Sequence, residues 1–235
     1  MNLKYVIVVF FLFSFIITCY FVMEQKNNEI EQVRETFSIA SHSSIRNYHE
    51  AQGNMEIDIY YPVTNVEKLD EIIEAYVHTE IENFKSIFQN VEEYHAELKI
   101  TFNEYQKENI IAFAFTKYLD TGGAHPNTYT HTINFNTKTD QVITIEDLVE
   151  IDSNLLNSLS TISRESLQNN ENIVQYGVSD FFYSGTEPKI ENFQNFVLDE
   201  KNFIIFFDRY SIAPYVAGDF IVKIPYEKLN MNAIF

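Results

Sequence analysis

Apolar and polar residues alternate at period two along residues 55–62 (MEIDIYYP), and the run ends at a proline, which predicts a β-strand. The period then changes. Apolar side chains at Val66, Leu69, Ile73, Tyr76, Ile81, Phe84, Ile87 and Phe88 recur every three to five residues. Glu67, Asp70, Glu71, Glu74, Glu80 and Glu82 take most of the places between them. This spacing predicts an amphipathic helix over 66–88, laid on a sheet. Two more strands are expected at 95–105 and 109–118, separated by a turn at QKEN. Alternation returns over 128–135, with Tyr129, His131, Ile133 and Phe135 on one face, and NTKTD follows as a turn. Leu155, Leu156, Leu159 and Ile162 predict a second helix over 152–167, capped by Asp152. A hairpin over 195–208, turning at 199–202, and a final strand over 219–224 complete the pattern. Helices packed on antiparallel hairpins indicate an α+β fold. Two small domains are expected, 44–118 and 119–235, each an antiparallel sheet with helices.

The amino-terminal stretch has no such period. From Tyr5 to Met23 there are nineteen residues without a charge, and only Lys4 precedes them. At ~1.5 Å per residue a helix of this length reaches roughly 28 Å, near the ~30 Å of a bilayer core. The exit, CYFVMEQKNN, lacks the small-residue pair of a cleavage site. The expectation is an uncleaved signal anchor over 1–23, followed by a polar linker over 24–43, with the remainder outside a bacterial cell membrane. Cleavage of the segment and lipid attachment at Cys19 are the alternatives. Cys19 is the only cysteine, so no intramolecular disulfide supports the rest.

Charge narrows the partners. Residues 1–23 hold one of the 16 basic residues and none of the 34 acidic ones; the remainder has 15 against 34, a net −19. That argues against nucleic acid, which needs cationic surface, and toward a cationic partner. It serves equally for solubility.

The chain offers little for chemistry. His125 and His131, with Asp120 and His95, are the only metal-ligand candidates, and no HExxH, CxxC or carboxylate-rich calcium loop accompanies them. There is no GxSxG element. No catalytic residue, metal or cofactor is assigned, and the protein is expected not to be an enzyme. Two loops remain. In TGGAHPNTYTHTINFN (121–136), Gly122 and Gly123 permit close backbone approach, and Pro126 stiffens the chain between His125 and Asn127. In YSIAPYVAG (210–218), Pro214 holds Tyr215, with Tyr210 nearby. Rigid tyrosines are favoured binding anchors. The competing expectation is that both loops only close the fold, with Tyr210 and Tyr215 buried.

These two motifs, with the IDIYYP strand, resemble a pair of bacterial extracytoplasmic domains. The pair is known from the lysozyme-sensing anti-sigma-V-factor family and from the region before the catalytic domain of C-type peptidoglycan deacetylases. The resemblance implies an α+β fold and a surface able to hold lysozyme. With MNLK before the apolar segment and Phe235 as the last residue, neither a sigma-binding segment nor a catalytic domain is expected. The expected function is a membrane-anchored binding protein for lysozyme or another cationic cell-wall hydrolase. Gly122, Gly123, His125, Pro126, Asn127, Tyr210, Pro214 and Tyr215 are its expected contact residues. A peptidoglycan glycan-binding module and a metal-dependent hydrolase or deacetylase are the alternatives.

Overall fold

In the computed structural model, which describes residues 43–88, 93–176 and 180–229, nine strands form two sheets. The first has six strands in sequence order: β1 (Ser44–Gln52), β2 (Met55–Val63), β3 (Ala96–Lys107), β4 (Ile110–Asp120), β5 (Asn127–Asn136) and β6 (Gln141–Val142). The second has three: β7 (Phe196–Leu198), β8 (Asn202–Phe207) and β9 (Phe220–Pro225). The fold is α+β, as the pattern predicted, and the segment expected to span a membrane lies outside the described residues. Among the described residues no helix is long and apolar enough to cross one.

Helix α1 (Glu67–Phe88) joins β2 to β3 as a crossover, so these two strands run parallel. The sheet is therefore mixed, not purely antiparallel. A long crossover is what a parallel pair requires, whereas a short turn gives an antiparallel one. The β3–β4 turn is such a case: Glu108, at φ 48°, permits the tight reversal. Leu69, Ile73, Val77, Ile81, Phe84 and Phe88 bury the face of α1 that the period predicted, with Val77 completing the stripe and Ile87 left exposed. Asp70 fastens the entry to α1: its carboxylate accepts the backbone N–H groups of Thr64 and Asn65 at 2.7 and 3.1 Å.

The expected domain boundary at 118/119 falls inside β4, which pairs with β5 from Ile110–Asn136 to Leu119–Asn127. One sheet spans the boundary, and residues Ser43–Phe235 cluster as one unit. The second sheet packs on the first through Val197 and Ile204 against Ala112 and Ala114. Alanine lets the layers approach closely. Asn134, only 2% exposed, bridges them: its Nδ2 donates to Phe196 O at 2.8 Å and its Oδ1 accepts from Leu198 N at 3.0 Å.

The far face of the second sheet is covered by short helices: α2 (Ile145–Ile151), α3 (Leu155–Leu167), α4 (Glu171–Tyr176), α5 (Asp180–Gly185) and α6 (Ile190–Phe193). Asp152 does not cap a helix over 152–167. It terminates α2, whose own start is closed by a capping box between Thr144 and Asp147, and α3 begins after Asn154.

Candidate functional site

The two loops singled out by the sequence meet. Loop 121–126 connects β4 to β5. Gly122 has φ +71°, and a Cβ there would fall 2.2 Å from Tyr94 Cδ2, so the glycine admits the Tyr94 ring against the backbone. Its N–H donates to Asp120 Oδ1 at 2.9 Å. Gly123 and His125 are exposed.

The second loop runs from Asp208 to Asp219 and is fastened along its length. The Asp208 carboxylate accepts Thr130 N–H at 2.9 and 3.1 Å, tying the loop to β5. Asp219 accepts from Arg209 N at 3.0 Å and from Thr128 Oγ1 at 3.3 Å. Ile212, Ala213 and Ala217 are buried beneath it. Asn172 of α4 donates to Ala217 O at 3.0 Å. Gly185 of α5 lies so close that a Cβ would stand 1.9 Å from Ser211 O.

Tyr215 joins the loops. Its ring stacks on His125 with centroids 3.8 Å apart, and its hydroxyl donates to Pro126 O at 2.6 Å. The Arg209 guanidinium carbon also lies 4.6 Å from the centre of the Tyr215 ring. Arg209 Nε is enclosed and finds Asp219 Oδ2 at 3.5 Å, too long for a well-made hydrogen bond, so the charge is balanced while that N–H goes undonated. Tyr215 is thus half-buried and committed within the chain. Tyr210, 49% exposed, is the ring on display, 5.6 Å from Tyr215 and 6.5 Å from His125. It sits at φ 65°, an unfavourable backbone conformation for any residue with a Cβ. Val216, 64% exposed, and Pro214 complete the outer rim. Asn127 opens β5 opposite Leu119.

Seven of the eight expected contact residues line this surface or its hinge; Asn127 sits where the first loop enters the sheet. Asp208, Arg209, Asp219, Tyr94 and Gly185, which hold the loops, were not foreseen. Their roles depend on partners up to about ninety residues away, which no local pattern signals. Burial raises the Asp208 carboxyl above its ordinary value and Asp219 adds to this, while the Thr130 hydrogen bond and Lys117 pull it down.

The metal candidates are divided among different neighbours. His131 stacks on Tyr76 of α1, centroids 4.4 Å apart, where the contact desolvates the ring and lowers its basicity. His125 stacks on Tyr215, and Asp120 turns to Gly122 N. Among the described residues there is no group of three or more His, Cys, Asp or Glu positioned to hold a metal ion.

Residues 146–227 match the family described as "Protein of unknown function (DUF3298)", a span that takes in the second loop but not the first. The chain is 29% identical over 167 residues to the peptidoglycan-N-acetylmuramic acid deacetylase PdaC of Bacillus subtilis (strain 168). That alignment covers 68% of this chain and 35% of the deacetylase, so the chain spans about a third of that relative's length. Two solved DUF3298 proteins share the fold. One, from Pseudomonas aeruginosa PAO1, has TM-score 0.53 and 18% identity, over 80% of this chain and 91% of that one. The other, from Bacteroides fragilis NCTC 9343, has TM-score 0.52 and 18% identity, over 81% and 91%. The deacetylase match agrees with the resemblance drawn from the loop motifs; neither it nor the family bears on lysozyme sensing by an anti-sigma factor.

Proposed function

We propose that the chain is a membrane-anchored extracytoplasmic binding protein that engages lysozyme or a similar cationic cell-wall hydrolase through loops 121–127 and 208–219, without chemistry of its own. The observation that carries this reading is the Tyr215 junction. The stack on His125 and the hydrogen bond to Pro126 O make two loops, about ninety residues apart in sequence, into one ordered exposed surface. Order before binding lowers the entropic cost of association. Tyr210, Pro214 and Val216 supply apolar contact, and the net −18 of the chain attracts a basic protein. The likeness to a peptidoglycan deacetylase supports a setting at the cell wall.

The test is binding of the full chain to lysozyme, with purified peptidoglycan measured in parallel. Saturable lysozyme binding is expected. Its association rate should fall as salt rises more than its dissociation rate increases, because steering acts over about 8 Å at physiological salt. Binding to peptidoglycan alone would replace this reading with a glycan-binding one, in which a sugar ring stacks on Tyr210. Release of acetate from acetylated glycan would show an enzyme.

A further inference from the structure

β1 is an edge strand of nine residues, and among the described residues no strand pairs with its outer side. The other edges are blunted. β6 has two residues. β7 has three, and its outer groups bond to Asn134 and Thr132. β9 carries Lys223 and ends at Pro225. β1 contains neither Lys nor Pro, and its pairing with β2 runs through nine consecutive residues without a bulge. A regular, uncovered edge is a template for another strand.

We propose that β1 pairs with β1 of a second copy of this chain, antiparallel and centred on Tyr48, joining two six-stranded sheets across a two-fold axis. Charge complementarity selects both occupant and register. On the helix side of β1, Arg46 already meets Glu74 of α1 at 2.6 Å, and Glu50 meets Lys85 at 2.5 Å. Centring on Tyr48 sets Arg46 opposite Glu50 of the second copy. The row then reads Glu74, Arg46, Glu50 of the second copy, Lys85 of the second copy, with alternating signs, and symmetry repeats it. On the other side Ile45, 38% exposed, meets Ala51, and Asn47 meets His49. Centring on Asn47 sets Arg46 against Tyr48, and centring on His49 sets it against Gln52; neither gives a charge pair. Half-step shifts put the hydrogen-bonding edges of the two strands out of phase. Opposite charges directly across a pair stabilise it, and like charges oppose it. The loop surface lies four strands away, roughly 19 Å at ~4.8 Å per strand. Pairing leaves it free, and failure of either reading leaves the other standing.

Cross-linking of the full chain in detergent tests the register. In a Cys19→Ser background, Tyr48→Cys should form a disulfide-linked dimer on oxidation, since directly opposed Cα atoms are about 4.5–5.5 Å apart. Ile45→Cys should not, because two copies of residue 45 would be roughly 20 Å apart at ~3.4 Å per residue. Charge exchange tests the row with Tyr48 in place. Arg46→Glu alone and Glu50→Arg alone should each weaken self-association by about tenfold or more. An equimolar mixture of the two should associate, as a heterodimer, more tightly than either variant alone, because each altered charge then meets its opposite across the strand pair. The proposal is overturned by a wild-type chain that stays monomeric, by Ile45→Cys linking as fast as Tyr48→Cys, or by a mixture that associates no more tightly than either variant alone.

Discussion

Loops 121–126 and 208–219 contribute to one surface, yet they are held in different ways. The second is tied by carboxylates at both ends, buries Ile212, Ala213 and Ala217, and has Gly185 pressed against its backbone. The first has two exposed glycines and rests on its neighbour through His125, Pro126 and Tyr215. A surface built this way has a fixed half and a leaning half, and the fixed half orders the other. The same division separates two tyrosines of one loop: Tyr215 spends its ring and hydroxyl on the junction, and Tyr210 keeps its ring for solvent.

The largest expected effect breaks the fixed half. Gly185→Ala puts a methyl 1.9 Å from Ser211 O and 2.8 Å from Ser211 C, both backbone atoms that cannot swing aside. Overpacking typically costs about 1–3 kcal/mol, and contact with rigid backbone puts this variant near the upper end. Gly123→Ala, with nothing nearer than Thr121 Oγ1 at 3.8 Å, should change stability by no more than about 0.5 kcal/mol. Unfolding midpoints of the two variants compare the Ser211 contact with the open side of the first loop; equal costs would show that the backbone at Ser211 gives way to the added methyl.

Next comes Tyr210→Ala. An exposed hot-spot aromatic is worth about 2 kcal/mol of binding, or roughly thirtyfold in affinity, mostly in the off-rate. The unfolding midpoint should fall only slightly, since about half of the side chain is exposed and alanine, which also has a Cβ, keeps the strain of φ 65°. Wild-type affinity for lysozyme in this variant would remove Tyr210 from the surface.

A smaller effect sharpens the picture of the leaning half. Tyr215→Phe keeps the stack on His125 and removes the hydroxyl bonded to Pro126 O, a loss of about 1 kcal/mol. Amide exchange should quicken over 121–128 and stay unchanged over 208–219. Equal quickening in both loops would mean that neither half orders the other.

What the sequence disclosed follows the same line between local and distant causes. The period of α1, the alternation of β2–β5 and the Asp199 turn are local, and each was legible within one or two residues. The parallel pairing of β2 and β3 was not read, although a long helix between two strands is its signal. β1 escaped notice because both its faces are largely exposed, so it carries no apolar alternation. The helices over 171–193 are too short for a period to show. At the site, the loop motifs stood out through their glycines and prolines. Display and burial within them could not be assigned: Tyr210 and Tyr215 look alike until Pro126 and Arg209 are brought beside one of them.

The smallest effect concerns the tie between Asp208 and β5. Burial holds its proton to higher pH in the folded chain than in the unfolded one. Between the two pKa values the native state binds more protons than the unfolded state, so this group's contribution to stability falls as pH rises through the window, which begins near the ordinary carboxyl value of about 3.9. Above the window the buried charge is a steady cost, offset in part by the bond from Thr130 N–H. Asp208→Asn keeps an oxygen for that N–H and carries no charge to desolvate. Relative to wild type, the variant should therefore gain stability as pH is raised from about 4 toward neutrality, by an amount that levels off once wild-type Asp208 is ionised. Taking the difference between the two proteins at each pH cancels the exposed carboxylates, among them Glu50 and Glu187, whose pKa values shift the opposite way. Unfolding midpoints across that range give the answer. A difference that stays flat, or that turns against the variant as pH rises, would mean that Asp208 is held as a well-compensated charge, and that the fixed half of the surface is fastened by an ion rather than in spite of one.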